Sequence, residues 1–288
     1  MAFAKILVPV TSAADDYDAL ATGFAVAQPF NAHLAALFVH PDPRSVTASV
    51  YSGATVSPAL IEDLVGVQTK LAREAEAAAH AMLRAVAKDL GASETPQPVR
   101  SDRTTCSFRA RFGYIPQLVA DEARYADLIV FKSSVHSELL SAMLETLMRA
   151  AKPIIVAAGR PSNNFARKIA VGWDGRDAAI HAATAALPFL LRAEEIDIFT
   201  VQPHRGRKIK TAEPLREYLG LHGVKATLRE VMQNDESIGA RLADAAAKAG
   251  SDLLVLGGYG HSHLRETFLC GVTIDVVSSH TLPVFLMH

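Results

Sequence analysis

The sequence predicts an α/β protein made of two tandem domains, each a doubly wound parallel sheet with helices on both faces. Three observations predict this class. Short segments rich in Val, Ile and Leu alternate with helical stretches, which is typical of parallel βαβ units. These segments recur in the same order along the chain, and 288 residues are enough for two ordinary domains.

The repeat is visible in three pairs of segments. Each pair matches an apolar segment of the first copy with a similar segment of the second copy, and the segments occur in the same order in both copies. The pairs are Lys5–Val10 with Lys168–Trp173, Ala126–Val130 with Ser251–Val255, and Lys152–Val156 with Leu282–Leu286. Alanine-rich helical stretches follow the first pair, at about 15–31 and 176–193. We therefore expect a duplication, with one domain over 1–160 and the other over 165–288.

The elements of the two copies follow from the apolar segments. In the first copy the strands are expected near 4–10, 33–39, 96–101, 127–132 and 153–158. In the second copy they are expected near 167–173, 195–201, 225–231, 252–257 and 282–287, with helices between the strands.

The first copy has a long insertion before its fourth strand. There are 122 residues from Lys5 to Asp127 but only 84 from Lys168 to Asp252. Most of the excess fits a long helix over Ser57–Leu90, with apolar residues at helical spacing: Leu60, Leu64, Val67 and Leu71. At about 1.5 Å per residue it would be about 50 Å long. It either packs on its own sheet or forms a partner surface.

Composition and charge exclude several classes of protein. Half of the residues are apolar, and 29 basic side chains balance 30 acidic ones, so no net field would attract nucleic acid or an anionic membrane. No secretory signal pattern or membrane-length apolar run is present, and we expect a cytoplasmic protein. Cys106 and Cys270 have no metal-type spacing and suit a reducing compartment. Cys106, placed between a strand and a helix, is either an inert thiol or a redox sensor.

A glycine-rich turn in the second copy suggests a phosphate site. Leu254–His263 runs from an apolar strand into glycines that open a helix, where free backbone N–H groups and the helix dipole favour an anion. The first copy has Phe131–His136 at this place, and no glycine stands between Gly113 and Gly159. A phosphate loop is therefore predicted in the second copy only.

These features resemble the universal stress proteins in their tandem form, most clearly over Arg167–Thr184 and Asp252–Leu286. The resemblance implies a five-stranded sheet in the order 3-2-1-4-5 in each domain. It also implies an ATP held across strands one and four, where a doubly wound sheet reverses its winding. Family members pair through their fifth strands, so Ile154–Ala157 should lie beside Val284–Met287 as an intrachain pseudo-dimer. A homodimer of tandem chains is a further option.

The same resemblance assigns the site residues. The family motif is Gly, two residues, Gly, nine residues, Gly and then Ser or Thr, with an Asp after the first strand. Gly257, Gly260 and Asp174 fit it, but Cys270 stands at the third glycine and Gly271 at the hydroxyl position. With one inserted residue, Gly271 becomes the glycine and Thr273 the nearest hydroxyl.

Further positions have alternative roles. Val201 would support adenine or is an ordinary core residue, and Asp174 would bind the nucleotide, cap the helix that begins near Arg176, or do both. His261 or Arg265 would donate to a phosphate or lie in solvent. The spacing of His261 and His263 gives only weak support for a metal, and we expect none. Thr11 stands where the first copy would need its Asp, so ATP is not expected there.

The sequence thus favours a stress-response regulatory protein that binds ATP or a related adenine nucleotide in its C-terminal domain and signals to an unidentified protein partner. It contains none of the common hydrolase or P-loop motifs, so we expect no enzyme, although slow ATP hydrolysis stays open. The alternative is an interaction module whose pockets are empty or hold another small ligand. Cys270 and the long helix favour that alternative.

Overall fold

A computed structural model describes residues 2–11, 16–40, 58–133, 137–162, 165–203, 208–258 and 281–288. Within these ranges the strands are β1 (Lys5–Val10), β2 (His33–His40), β3 (Ser93–Glu94), β4 (Thr105–Phe112), β5 (Leu128–Phe131), β6 (Ile154–Val156), β7 (Lys168–Gly172), β8 (Glu195–Gln202), β9 (Thr227–Met232), β10 (Leu253–Gly257) and β11 (Val284–Met287). The helices are α1 (Asp16–Ala27), α2 (Pro58–Asp89), α3 (Ile115–Ala123), α4 (Ser137–Glu145), α5 (Asp177–Ala185), α6 (Leu187–Leu190), α7 (Glu213–Leu221) and α8 (Ile238–Lys248).

The described strands form one continuous sheet in the order β3-β4-β2-β1-β5-β6-β11-β10-β7-β8-β9. Strands β1 to β6 make up the first half, and β7 to β11 the second. Within each half all neighbouring strands are parallel. Apart from the short β3, each half has the order 3-2-1-4-5, which confirms the predicted fold class. The boundaries 1–160 and 165–288 remain a prediction.

The two halves join through their fifth strands, as predicted. Strands β6 and β11 pair antiparallel, with Val156 opposite Val284, Ile155 opposite Phe285 and Ile154 opposite Leu286. All three pairs are buried. Two exposed edges are thereby replaced by one apolar seam in the middle of the sheet.

The third strand of the first half lies further along the chain than predicted. The sequence suggested 96–101, but the strand is β4, and it pairs with β2 over all eight of its residues. The physical reason is the pair Pro96 and Pro98, because proline has no N–H to donate to a strand ladder. The two-residue β3 precedes them and pairs with the start of β4.

Matching hydrogen bonds fix the equivalence of the two halves. The Asp127 carboxylate accepts hydrogen bonds from the N–H groups of Ala4 and Lys5, at 2.8 and 3.0 Å. The Asp252 carboxylate accepts from Arg167 and Lys168 in the same way, at 3.0 and 3.1 Å. In both halves an aspartate before the fourth strand therefore braces the start of the first strand.

The long helix α2 confirms the helix predicted over Ser57–Leu90. Its C-terminal half packs on the sheet through buried apolar side chains: Ala79, Leu83, Val86 and Ala87. Its N-terminal half exposes about half of the Leu60, Val67 and Leu71 side chains. The packing interpretation thus holds for the C-terminal half, and the partner interpretation is untested. No helix in the described ranges has both the length and the apolar character needed to cross a bilayer.

Candidate functional site

The candidate site lies where β7 and β10 end. These strands are parallel neighbours, with Val171 opposite Val255, while β8 flanks β7 and β11 flanks β10 on the outer sides. The winding of the second half therefore reverses between β7 and β10, which is where doubly wound sheets form a ligand crevice. Gly257 is the last residue of β10, and Asp174 lies two residues after β7, so both come to this edge.

Gly257 allows the first turn of α5 to approach the end of β10. A Cβ added at this position would lie 2.6 Å from the backbone carbon of Ala178 and 2.6 Å from the nitrogen of Ala179. Any side chain would push the helix away. Gly258, the next residue, donates its N–H to the Met287 carbonyl at 2.7 Å. The end of β10 is thus held by the backbone of β11 and lies against the first turn of α5.

Asp174 closes the turn that leads into α5. Its Oδ1 accepts a hydrogen bond from the Arg176 N–H at 3.0 Å, and Gly175 between them has φ +80°. The helix N-cap is Arg176, which makes no side-chain cap bond. The interpretation of Asp174 as the helix cap is therefore wrong, because its bond ends one residue before the helix in an Asx turn. The Asp174 side chain remains about half exposed.

Val201 occupies a core position. It is 3% exposed and belongs to the apolar cluster that includes Phe199 and Leu242. The core interpretation of Val201 thus agrees with the structure, and the side chain offers no surface to an adenine ring. The question whether a nucleotide rests above it stays a prediction.

A segment that the sequence did not single out crosses this edge. The Ile209 N–H donates to Gln202 Oε1 at 3.0 Å, and Gln202 Nε2 donates back to the Ile209 carbonyl at 3.2 Å. The Trp173 indole N–H donates to the Lys210 carbonyl at 3.0 Å. Trp173 is 8% exposed, which agrees with its interpretation as a packing residue. The only sequence signal for this segment is a glutamine at the end of an apolar strand.

The remaining predicted site residues, Gly260, His261, Gly271 and Thr273, lie outside the described residues, as do Cys270, His263 and Arg265. Their roles remain predictions. In the described part of the chain, no group of three or more His, Cys, Asp and Glu side chains is arranged to hold a metal ion.

The first half has different chemistry at the equivalent positions. Thr11 follows Lys5 by six residues, as Asp174 follows Lys168, and Lys132 follows Asp127 by five, as Gly257 follows Asp252. Lys132 Nζ donates to Thr11 Oγ1 at 2.7 Å and lies 3.1 Å from Asp16 Oδ1. The Lys132 side chain is 4% exposed and the Asp16 side chain is 0% exposed. A buried ion pair thus connects the strand end to the first residue of α1.

This ion pair was not predicted from the sequence. The available signal was a charged residue, Lys132, directly after the apolar strand Leu128–Phe131, together with Asp16 at the start of a helix. Beside the pair lies a cavity of about 440 Å³ with mainly apolar walls, including Phe38, Leu71 and Leu139. The first half therefore also has a crevice where its winding reverses. There, however, the Lys132–Asp16 ion pair lies at the position that Gly257 occupies in the second half.

Cys106 is not placed as the sequence suggested. It lies inside β4, not between a strand and a helix, and it is fully buried. Burial, reinforced by the negative charge of Glu94, raises the pKa of this thiol to about 11. A thiol of this kind is inert at neutral pH, because the thiolate is the reactive form.

The comparisons with known proteins place the fold. No protein-family model matches the chain, and no curated protein matches it in sequence. Among solved structures it is similar to a universal stress protein from Archaeoglobus fulgidus DSM 4304, with 14% identity over 98% of this chain and 95% of that chain and a TM-score of 0.65. It is also similar to a putative universal stress protein from Pseudomonas aeruginosa UCBPP-PA14, with 13% identity over 99% of this chain and 93% of that chain and a TM-score of 0.56. The chain therefore has the fold of the universal stress proteins, repeated twice along one polypeptide.

Proposed function

We propose that this protein is a stress-response regulatory protein that binds ATP or a related adenine nucleotide in its second half. The observation that carries the proposal is the difference between the two winding reversals. In the second half, Gly257 carries no side chain and lies against the first turn of α5, and the Asp174 carboxylate is half exposed. In the first half, Lys132 and Thr11 occupy the equivalent positions and bond to each other.

Each group of the second half has a role in this proposal. Asp174 Oδ2, which lies 3.8 Å from Arg176 Nε in a half-exposed ion pair, accepts hydrogen bonds from the ribose hydroxyls or the adenine amino group. Because the Gly258 N–H is donated to Met287, the backbone N–H groups that follow Gly258 are assigned to the phosphates, with Gly260, Gly271, His261 and Thr273 completing the phosphate side. Val201 belongs to the core beneath the expected adenine position and makes no direct contact in this proposal, because only 3% of it is exposed.

We expect weak binding. The motif position that carries a hydroxyl in the family holds Gly271 or Val272 here, depending on the alignment. A hydrogen bond to a charged phosphate is worth about 1.5–3 kcal/mol, so its loss weakens binding by roughly ten- to a hundredfold. We infer binding without efficient turnover, since no sequence motif supplies a nucleophile and base. Slow hydrolysis is compatible with this role.

Isothermal titration calorimetry with ATP tests the proposal. Asp174→Ala removes the carboxylate and should weaken binding by about tenfold or more, since a hydrogen bond to a charged group is lost. Thr11→Ala is the matched control at the equivalent position of the first half and should leave the affinity unchanged. Absence of heat at millimolar ATP in the parent protein, or an equal loss in both variants, would contradict the proposal.

A second candidate function is an interaction module without a nucleotide. It is favoured by the exposed apolar side chains of α2, Leu60, Val67 and Leu71, which are 48%, 57% and 53% exposed and follow a 7- and 4-residue spacing. Such a stripe suits packing against another helix, as in a homodimer of tandem chains. Sedimentation velocity should then show a dimer that Val67→Glu dissociates. A monomeric parent protein would exclude this self-association.

A further inference from the structure

A second cavity lies along α1, away from the candidate site. Its volume is about 490 Å³, and it is bounded by α1, by the segment that connects the two halves of the sheet, and by the turn after α6. Its walls include the aromatic rings of Tyr17, Phe30 and Phe165. None of the residues that line it belongs to the crevice between β7 and β10. The cavity is large enough for a small organic ligand, since such pockets measure about 300–1,000 Å³.

The charged residues that the structure describes in the lining of this cavity are all basic. Among the described residues that line it are three arginines, Arg160, Arg167 and Arg192, and no carboxylate. Arg167 is neutralised by an ion pair with Glu194. Within the described residues, Arg160 and Arg192 form no ion pair with any carboxylate. Two uncompensated positive charges therefore face one concave space, in a chain whose formal net charge is −1.

Aromatic rings hold both of these guanidinium groups. Arg160 lies over the Tyr17 ring, 4.4 Å from its centroid, and Arg192 lies over the Phe30 ring at 5.5 Å. A cation–π contact uses the flat face of the guanidinium and leaves the N–H donors, which lie in its plane, available. Stacking also restricts the side chain, so that less rotational freedom is lost when an anion binds. Both arginines are thus oriented donors that have no carboxylate partner among the residues that the structure describes.

The aromatic wall of the cavity is itself well packed. The Phe30 and Phe189 rings meet edge to face at 6.1 Å, and Phe165 meets Phe189 in the same way at 6.5 Å. This wall offers an apolar surface next to the arginines. The combination suits a ligand with an anionic group at one end and a flat apolar part at the other.

We propose that this cavity is a binding site for a small aromatic anion that carries a phosphate or a carboxylate. Arg160 and Arg192 bind the anionic group through their N–H forks, because planar guanidinium groups match both oxyanions. The aromatic wall takes the apolar part. This site is independent of the proposed nucleotide site, so the two stand or fall separately.

Calorimetry with phenyl phosphate and with benzoate tests the site and distinguishes the two anions. We expect saturable binding of at least one probe, weakened about tenfold or more by Arg160→Met and by Arg192→Met, because each change removes charge-assisted hydrogen bonds but keeps the aliphatic bulk. Arg73→Met is the control, since Arg73 is an exposed arginine of α2 that does not line the cavity. It should leave the affinity unchanged.

Thermal melting and the Arg192→Lys variant separate a loss of binding from a loss of folding. Thermal melting of each variant should match the parent protein, since both arginines are exposed. Arg192→Lys should restore only part of the affinity, because an ammonium group supplies charge without the fork. Absence of heat with both probes at millimolar concentration would overturn the proposal. So would unchanged binding in both methionine variants, or an equal loss in Arg73→Met.

Discussion

Lys132 and Asp16 give the first half its own chemistry at the end of β5. Their charged groups lie 3.1 Å apart with almost no contact with solvent. Taking either charge out of water is unfavourable, and the pair offsets this only while both partners are present. The position of Lys132 is occupied by Gly257 in the second half, and that of Thr11 by Asp174. The two crevices therefore differ through a few side chains.

Removing one partner of the pair should be strongly destabilising. We expect Lys132→Met to lower the free energy of unfolding by about 3–5 kcal/mol, since Asp16 would be left buried without its cation. Urea denaturation measures this. Lys168→Met is the control: its ion pair with Glu195 is half exposed at both ends and should contribute about 1 kcal/mol or less. Equal effects of the two changes would contradict the assigned role of burial.

Gly257 should be irreplaceable for a steric reason. A Cβ there meets the α5 backbone at 2.6 Å, so Gly257→Ala should destabilise the protein by about 1–3 kcal/mol. Gly66 has nothing within 4 Å of an added Cβ and lies inside α2, so Gly66→Ala should instead stabilise it by about 0.4–1 kcal/mol. Thermal or urea unfolding of both variants compares the two signs. Stabilisation by Gly257→Ala would contradict the close packing of α5 against the end of β10.

His33 should make stability depend on pH. It is buried in β2, with Thr105 Oγ1 and Ser107 Oγ each 2.8 Å from a ring nitrogen. Burial, and then the positive charge of Lys5, lower its pKa from 6.5 to about 4. Between these values the unfolded chain binds the proton and the folded chain does not. The free energy of unfolding should therefore fall as pH decreases from 6.5 to 4, by up to about 1.4 kcal/mol per pH unit.

Urea titrations of the parent protein and of His33→Gln measure this contribution. Glutamine keeps hydrogen-bonding groups toward Thr105 and Ser107 but does not titrate, so the variant should have the smaller slope over this range. Other groups titrate equally in both proteins and cancel in the difference. Identical slopes would show that the folded state does not depress the pKa of His33.

At the scale of elements, α2 combines two environments in one helix. Leu83 is fully buried in its C-terminal half, whereas Leu71 is 53% exposed in its N-terminal half. Leu83→Ala should therefore lower the free energy of unfolding by about 2–5 kcal/mol, and Leu71→Ala by much less. Urea denaturation compares the two. Equal losses would indicate that the N-terminal half of α2 is covered by another surface in solution.

The sequence predicted those elements whose signal is local. The spacing of Leu60, Leu64, Val67 and Leu71 identified α2 to within one residue at each end. The third strand of the first half was misplaced, since its start depends on pairing with β2, which is distant in sequence. Pro96 and Pro98 could have excluded the incorrect assignment.

The site was only partly predictable, because some of its contacts join residues that are distant in sequence. Asp174 follows β7 and Gly257 ends β10, and the resemblance to a known family singled them out. The Lys132–Asp16 pair and the bonds from Gln202 to Ile209 connect residues whose contacts depend on the folded chain. No spacing rule predicts that a lysine at a strand end will find a buried carboxylate. Such pairs become visible only when the helix start and the strand end are placed together.

At the scale of the whole molecule, the antiparallel pair β6–β11 joins two parallel half-sheets into one. Family resemblance predicted this joint, and the apolar character of Ile154–Val156 and Val284–Leu286 explains why it is stable: their side chains are buried at the centre of the sheet. A duplicated fold inside one chain frees each half to change its crevice independently. One half has an ion pair and a mainly apolar cavity, and the other has Gly257 at the strand end and a half-exposed carboxylate.

The central claim is that only the second half binds an adenine nucleotide. Equilibrium dialysis with labelled ATP counts the nucleotides bound per chain, and the combined Arg160→Met and Arg192→Met background removes the proposed anion cavity from that count. We predict one ATP per chain at saturation, with affinity reduced about tenfold or more by Asp174→Ala and unchanged by Thr11→Ala. No bound ATP, two per chain, or one that is insensitive to Asp174→Ala would contradict the account.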